Sequence, residues 1–405
     1  MRILVCAAEA PLSPLNGFRL QLIPVCAGLA ERGHEVCVLA YRRERQHGDP
    51  PPGVELQLVD YPELGLFASG ARWLARSQPL GVITGERAIA RAARSLVAER
   101  EFDVAHVAGW PLAGIRPALQ PLPAILTTLD AWHVNYAARR DAASRLARPA
   151  LAQEVRRIAR FEASSYRTFD SVVVVSNEDA AALRRLDPAV RVHTVPNGVD
   201  TERFSPGPPE SREPSLVVMT GAMHWAPNVA AARYLVESVL PALRKRVPHA
   251  RVTLVGRDPT SELVELGEEK GVVVTGEVPE MTGWLQRADA YACPMVNGTG
   301  IKNKLLEAMA CACACVATPI ACQGLDVESG REIVIAEDTE AFAAALAEVM
   351  ADGDLARRLG AAARDRVVAD HGWDAVVDTY ETLLSRAIGD QQRAAGPARA
   401  DAPSN

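Results

Sequence analysis

The chain has few aromatic residues, no long apolar run and no paired-cysteine motif. Phe, Trp and Tyr make up 5% of its 405 residues, so its cores must be filled by Ala, Val and Leu. No stretch reaches the roughly 18 to 20 apolar residues that span a bilayer as a helix. The opening Met1-Arg2-Ile3-Leu4-Val5-Cys6-Ala7-Ala8 is soon interrupted by Glu9. It reads as a buried strand and not as a signal peptide. A cytoplasmic protein is expected, with peripheral membrane contact left open. The formal net charge of -6 gives no global field to hold nucleic acid, and leaves room for a local basic patch around an anionic ligand. The eight cysteines include no CxxC pair, and Cys311, Cys313 and Cys315 alternate with alanine in an apolar run. Small buried thiols are expected there, not zinc or redox chemistry.

What is present is an ordinary globular composition, 48% apolar and 23% charged, in a chain long for one core. Two domains are expected. The first half alternates strand, turn and helix, with strands at 2–8, 35–41, 54–59, 104–107, 124–129, 172–176 and 192–195. Helices are expected at 19–32, 88–99, 148–168 and 178–185. Continuous apolar strands of this kind belong to parallel sheets covered on both faces. Residues 65–82 do not fit the alternation and read as an irregular excursion toward an acceptor, with Trp73 in its neighbourhood. Residues 201–214, rich in Pro, Ser, Gly and charge, read as a linker. The pattern then restarts with strands at 216–220, 251–255, 272–275, 289–293, 315–318 and 332–335. A helix is expected at 228–246, kinked or restarted by Pro241. The expected domains are thus 1–200, a linker 201–214, a second domain 215–372, a last helix 373–388 and a disordered tail 389–405. In such sheets ligands sit at the C-terminal edges of the strands.

The most informative segment is Asn297-Gly298-Thr299-Gly300-Ile301-Lys302-Asn303-Lys304-Leu305-Leu306-Glu307. Gly298 and Gly300 allow a tight turn, and a helix beginning near Ile301 offers unpaired N–H groups and a positive dipole end to a phosphate. Lys302 and Lys304 could add charge. The spacing of Gly300, Lys304 and Glu307 places them on one helix face, with Glu307 set to accept ribose hydroxyls. A glycine pair before a helix also occurs in plain packing, with Lys302 in solvent and Glu307 paired to a lysine.

Several stations in order resemble the GT-B-fold retaining glycosyltransferases of family 4 (glycosyl transferases group 1). They are Arg19 with the run Leu29 to Val36, Asp103-Val104-Ala105-His106, Val195-Pro196-Asn197-Gly198-Val199-Asp200, Pro227-Asn228 after Gly221, Gly298 to Met309, Val316-Ala317-Thr318-Pro319 with Gly324-Leu325, and the helix from Trp373. The resemblance implies two Rossmann-like domains facing a central cleft, with the C-terminal helix crossing back to the first. It implies an NDP-sugar-dependent transferase that retains anomeric configuration. Glu307 resembles the ribose-holding glutamate, and Gly298, Thr299, Gly300 and Ile301 the loop around donor sugar and diphosphate. Gly17 resembles the first-domain glycine loop. Arg257, Gly276, Glu277 and Val278 would border the nucleobase, and Gly221 and His224 the donor pocket. No cofactor and no metal are implied. Asp352-Gly353-Asp354, which imitates a metal motif, is better explained by helix capping. The acceptor would be a small secondary metabolite or a glycan precursor, and neither the base (UDP, GDP or dTDP) nor the oligomeric state is fixed.

Three departures stand out. Thr299 replaces the family's first glutamate. Asp130 stands where a histidine is usual, with His133 three residues on as a substitute if the loop bends. The loop Gly221 to Asn228 lacks the family's phosphate-holding Arg and Lys, which shifts weight to Arg19, Lys302 and Lys304. Asp130 is the catalytic candidate, with His133 and His106 behind it, although His106 reads equally as a core residue. A sugar-nucleotide epimerase or phosphorylase on the same fold, or a catalytically weak sugar-nucleotide-binding protein, stays open as an alternative.

Overall fold

A computed structural model of the chain describes residues 1–12, 17–42, 46–61, 78–83, 86–298 and 300–394. The expected excursion at 65–82 lies largely outside these residues, as do Trp73, Thr299 and residues 395–405. The chain divides into two compact units, one of Met1–Val195 with Val376–Asn405 and one of Pro196–Ala375.

The first unit holds a seven-stranded sheet. Its strands are β1 (Arg2–Ala7), β2 (Glu35–Arg42), β3 (Val54–Asp60), β4 (Val104–Ala108), β5 (Ala124–Leu129), β6 (Ser171–Val174) and β7 (Val192–Thr194). They run in the order β3-β2-β1-β4-β5-β6-β7, every neighbouring pair parallel. All five residues of β4 are buried, and β6 is buried throughout. Helices cover both faces, so these strands are apolar on both sides, without polar alternation. The second unit repeats the plan with β8 (Leu216–Thr220), β9 (Arg251–Val255), β10 (Val272–Val274), β11 (Ala290–Cys293), β12 (Cys315–Ala317) and β13 (Val334–Ile335). Their order is β10-β9-β8-β11-β12-β13. The direction of strand succession reverses between β1 and β4 in one unit and between β8 and β11 in the other. Loops diverge at such points and leave room for a ligand beyond the strand ends.

Two expectations are corrected, one at residues 201–214 and one at the C-terminal tail. Residues 201–214 are not a free linker but part of the second unit. Phe204 belongs to its core, Arg364 donates to Thr201 O and Phe204 O at 3.1 and 3.0 Å, and Glu213 accepts from Arg287 at 2.6 Å. The long helix after β8 restarts at Pro241 as expected, in three joined pieces, Ala226–Arg233, a π-helical turn Tyr234–Val239 and Leu240–Arg244. The wider turn comes just before Pro241, whose missing N–H breaks the regular ladder. Two helical stretches went unexpected, a 3₁₀ segment Trp110–Leu119 and a helix Trp132–Ala142. The last helix runs Trp373–Ala394, past the point where a disordered tail was expected at 389.

From Val376 onward this helix is part of the first unit. Val377 packs on Gly28, its methyl 2.7 Å from where a Cβ would stand. Tyr380 hydroxyl lies 3.1 Å from Thr127 Oγ1, and Glu381 is 3.0 Å from His34 Nε2. Among the described residues no helix is long and apolar enough to cross a membrane.

Candidate functional site

The second unit carries a cavity of about 500 Å³ at its switch point, lined by residues that follow β8 and β11. Gly221, Ala222, Trp225, Pro227 and Asn228 form one wall, and Met295, Gly298, Ile301, Lys302, Asn303, Lys304 and Glu307 the other. Close backbone contact holds the first wall. Gly221 N–H donates to Val255 O at 3.0 Å and Met223 N–H to Arg257 O at 2.9 Å. Gly256 sits at φ +155° so close that a Cβ would lie 1.7 Å from Gly221 O. No other residue fits there.

On the second wall Gly298 and Gly300 take φ of +106° and +75°, the turn their spacing predicts. The helix then begins at Asn303, not near Ile301, because Lys302 is still extended at φ −93°, ψ 90°. Gly300 therefore lies in the turn before the helix and does not share a helix face with Lys304 and Glu307. Those two remain one helical turn apart, and both line the cavity. No side chain caps this helix. Asn197 Nδ2 donates to Asn303 Oδ1 at 3.0 Å, and Asn197 O bonds His371 Nδ1 at 2.9 Å, so Asn303 at the first turn is held from behind.

Two lysines enter the cavity wall without a carboxylate ion pair among the described residues. Lys302 is 7% exposed, and its Nζ donates to Gly300 O. Lys304 Nζ donates to Asn228 Oδ1 and lies 3.4 Å from Met295 Sδ. Burial lowers the pKa of both. A buried cation given only neutral partners is expensive, and an anionic ligand relieves the cost. Lys304 Nζ also stands 3.5 Å from where a Cβ of Gly221 would be. A helix residue thus brings positive charge to the loop that itself lacks Arg and Lys. Glu307 is pushed up to about 7, first by burial, with Arg203 and Lys304 opposing.

The other residues singled out from the sequence fare unevenly. His224, Arg257, Gly276, Glu277 and Val278 are not in the cavity lining. His224 lies 3.4 Å and Arg257 3.9 Å from Asp258. Gly276 O accepts from Gly256 N–H at 3.2 Å, Glu277 is exposed, and Val278 packs on the core. In the first unit Gly17 begins a helix, Gly17–Glu31. Arg19 is 7% exposed and meets Glu9 at 2.9 Å, so its charge already has a carboxylate partner.

His106 is a core residue. It is 2% exposed, its Nε2 lies 2.9 Å from Thr127 Oγ1, and burial lowers its pKa to about 4. Its ring packs against Tyr380 with centroids 5.4 Å apart.

Asp130 follows β5, after Leu129 at φ +69° and a register shift against β6. Burial, then the charge of Asp179, raises it to about 6, with a hydrogen bond from Asn135 opposing. His133 lies in the first turn of the next helix, its Nδ1 2.6 Å from Glu162 Oε2. Glu162 is fully buried and also accepts from Trp132 N–H at 2.8 Å and His133 N–H at 3.3 Å. Asp352 Oδ1 caps its helix, accepting from Asp354 and Leu355 N–H at 3.0 and 2.9 Å. All eight cysteines are buried free thiols.

Missed from the sequence were Asn228, Met295, Asn303 and Glu162. The first had a signal, because Pro-Asn occurs twice, at 196–197 in an irregular segment and at 227–228 in the first turn of the helix that follows the Gly221 loop.

Two parallel sheets with reversed strand order and helices on both faces define a doubly wound α/β protein, here with a cation-bearing cavity at one switch point. Its sequence matches the family model described as Glycosyl transferases group 1 over residues 214–352 and that described as Glycosyltransferase Family 4 over residues 20–203. The chain belongs to this glycosyltransferase family. It is 31% identical over 244 residues to alpha-maltose-1-phosphate synthase of Mycolicibacterium smegmatis, covering 52% of this chain and 62% of that one. It is 29% identical over 222 residues to a GDP-mannose-dependent alpha-(1-6)-phosphatidylinositol monomannoside mannosyltransferase of Mycobacterium tuberculosis, covering 49% and 56%. The matches thus span between half and two thirds of these relatives' length. Among solved structures, sucrose-phosphate synthase of Thermosynechococcus elongatus superposes with a TM-score of 0.72 at 17% identity, over 96% of this chain and 100% of the other. Anabaena HepE in complex with UDP and glucose gives 0.65 at 14%, over 95% and 100%. These likenesses show the GT-B fold.

Proposed function

We propose that this chain transfers a glycosyl group from a nucleoside-diphosphate sugar to a hydroxyl acceptor, with the diphosphate seated in the second-unit cavity. The carrying observation is the buried Lys302 and the half-buried Lys304, without carboxylate ion pairs among the described residues, on a cavity that adjoins an uncapped helix N-terminus. Family membership and an Anabaena structure of the same fold holding UDP and glucose support the same reading.

In this reading the lysines and the first-turn N–H groups take up the charge that develops on the leaving diphosphate. Glu307, one turn on, accepts the ribose hydroxyls. The acceptor hydroxyl attacks the anomeric carbon from the same face that the diphosphate leaves, as that bond breaks, and its proton passes to the departing phosphate oxygen, so the anomeric configuration is retained. Asp130, a half-buried carboxyl at a strand end of the first unit, fixes a sugar or acceptor hydroxyl. The acceptor is a small metabolite or a glycan precursor.

The test is a thermal-shift series with UDP, GDP, ADP and dTDP. A ligand of the folded state raises Tm, so at least one diphosphate is expected to do so. Lys304→Met is expected to abolish that rise while raising the ligand-free Tm, since it removes a partly desolvated charge that no carboxylate ion pair offsets among the described residues. Silence from all four nucleotides, or an unchanged response in Lys304→Met, overturns the proposal.

A further inference from the structure

Lys304 is a long side chain with three donors, and a lysine left to itself samples many rotamers. Here one side chain narrows that choice. Asn228 is 6% exposed and its amide is engaged at both ends. Nδ2 donates to Ala222 O at 2.9 Å, and Oδ1 accepts from Lys304 Nζ. The Nδ2 end is fixed by the loop after β8, so the Oδ1 end is fixed too, and it meets the ammonium beside Gly221. Met295 Sδ at 3.4 Å occupies a second direction with a weak acceptor. The third N–H of Lys304 is left for an oxygen within the cavity that Asn228, Lys304 and Met295 all line.

We infer that Asn228 is a positioning residue for the diphosphate of the donor, acting by holding the ammonium of Lys304 at the loop between Gly221 and Asn228. This rests on the donor reading above. The chemistry explains why the tether is an amide. A carboxylate would hold the lysine as well and cancel its charge, whereas an amide oxygen orients the cation and leaves its full charge for an anion. The arrangement also answers the missing Arg and Lys of the Gly221 loop. The loop supplies the anchor, and the helix across the cavity supplies the charge.

The test is calorimetric titration of the full chain with UDP and GDP and, in parallel, with uridine and guanosine. Asn228→Ala frees Lys304 but keeps its charge, and Asn228→Asp keeps an oxygen on Lys304 but neutralises it. Each is expected to weaken diphosphate binding by about tenfold or more, on the scale of one charge-assisted hydrogen bond. Nucleoside binding should change little in Asn228→Asp, which keeps the side chain's shape although it loses the Nδ2 donor to Ala222 O. In a Lys304→Gln background, Asn228→Ala is expected to add no further loss of diphosphate affinity, because the residue then has nothing to position. A merely structural role would weaken nucleoside and diphosphate alike and persist in that background. Either of those results overturns the inference, as does wild-type diphosphate affinity in Asn228→Ala. If the wild-type chain binds neither diphosphate, the donor reading itself falls and takes this inference with it.

Discussion

Glu307 shows how a single residue can set stability against binding. Its carboxyl is raised to about 7, chiefly by burial, against about 4.3 in an unfolded chain. Between those values the folded protein holds a proton that the unfolded chain has released, so stability falls as pH rises through this window and levels off above it. Glu307→Gln carries no such charge. Taking the two as equal below pH 4, the variant is expected to exceed wild type in ligand-free stability by about 1 kcal/mol near pH 5 and by about 3 to 4 kcal/mol near pH 8. Urea denaturation at the two pH values checks this, and a constant difference would refute it. In the donor reading the same variant loses nucleoside diphosphate affinity, because the ionised carboxylate is the better acceptor for ribose hydroxyls. The gain in stability and the loss of binding come from one desolvated charge.

Among the elements, the tightest constraint lies between two loops. Gly256 must admit Gly221 O against its α-carbon, with a positive φ that side chains rarely adopt. Gly256→Ala is expected to destabilise the second unit by about 3 kcal/mol or more, through overpacking and backbone strain together. It should also cost nucleotide binding, since the Gly221 loop is a wall of the cavity. Denaturant unfolding of the variant measures this, and a shift of less than about 1 kcal/mol would count against it.

The elements also show what a sequence reveals. Stretches such as Val104–Ala108 and Ala124–Leu129 were legible because a strand buried on both faces is mostly apolar, interrupted here only by His106, Thr127 and Thr128, and is bounded by polar and turn residues. The helix Trp132–Ala142 was not, because none of its residues is fully buried and its core-facing stripe is only Trp132 and Tyr136, too short to read as a period. Within the site, Gly298, Lys304 and Glu307 were legible because turn and helix spacing are local. The lysine's partner Asn228 and the carboxylate behind His133 were not. Asn228 is 76 residues from Lys304 and Glu162 is 29 from His133, and hydrogen bonds over such separations leave no periodic trace. The start of the helix was misplaced by two residues for a related reason. Lys302 has good helix propensity, but its side chain turns back to Gly300 O and its backbone stays extended.

For the whole molecule, the two units differ in how the chain builds them. The second is one continuous segment, Pro196–Ala375, whereas the first is closed by a segment from the far end, from Val376 on. Every residue lining the cavity lies in the second unit, as do its core from Val199 to Val367 and the bonds that fix the 196–205 segment, from His371, Arg364 and Gln286. The first unit, by contrast, buries Val376, Val377, Tyr380, Leu383 and Leu384, and Tyr380 bonds Thr127 in its central sheet. Cutting the chain after Ala375 would strip those five side chains from the first unit, each worth about 1.5 to 3 kcal/mol of burial for an apolar side chain of that size. Their sum is comparable to the whole stability of a domain. The truncated chain is therefore expected to lose the folded first unit while residues 196–375 stay folded and still bind nucleoside diphosphate. Limited proteolysis followed by calorimetry distinguishes the outcomes. A resistant fragment near 196–375 that binds nucleotide is expected. Loss of both units together would mean that the second unit draws its stability from the first, and a fully resistant truncated chain would mean that the terminal helix is dispensable.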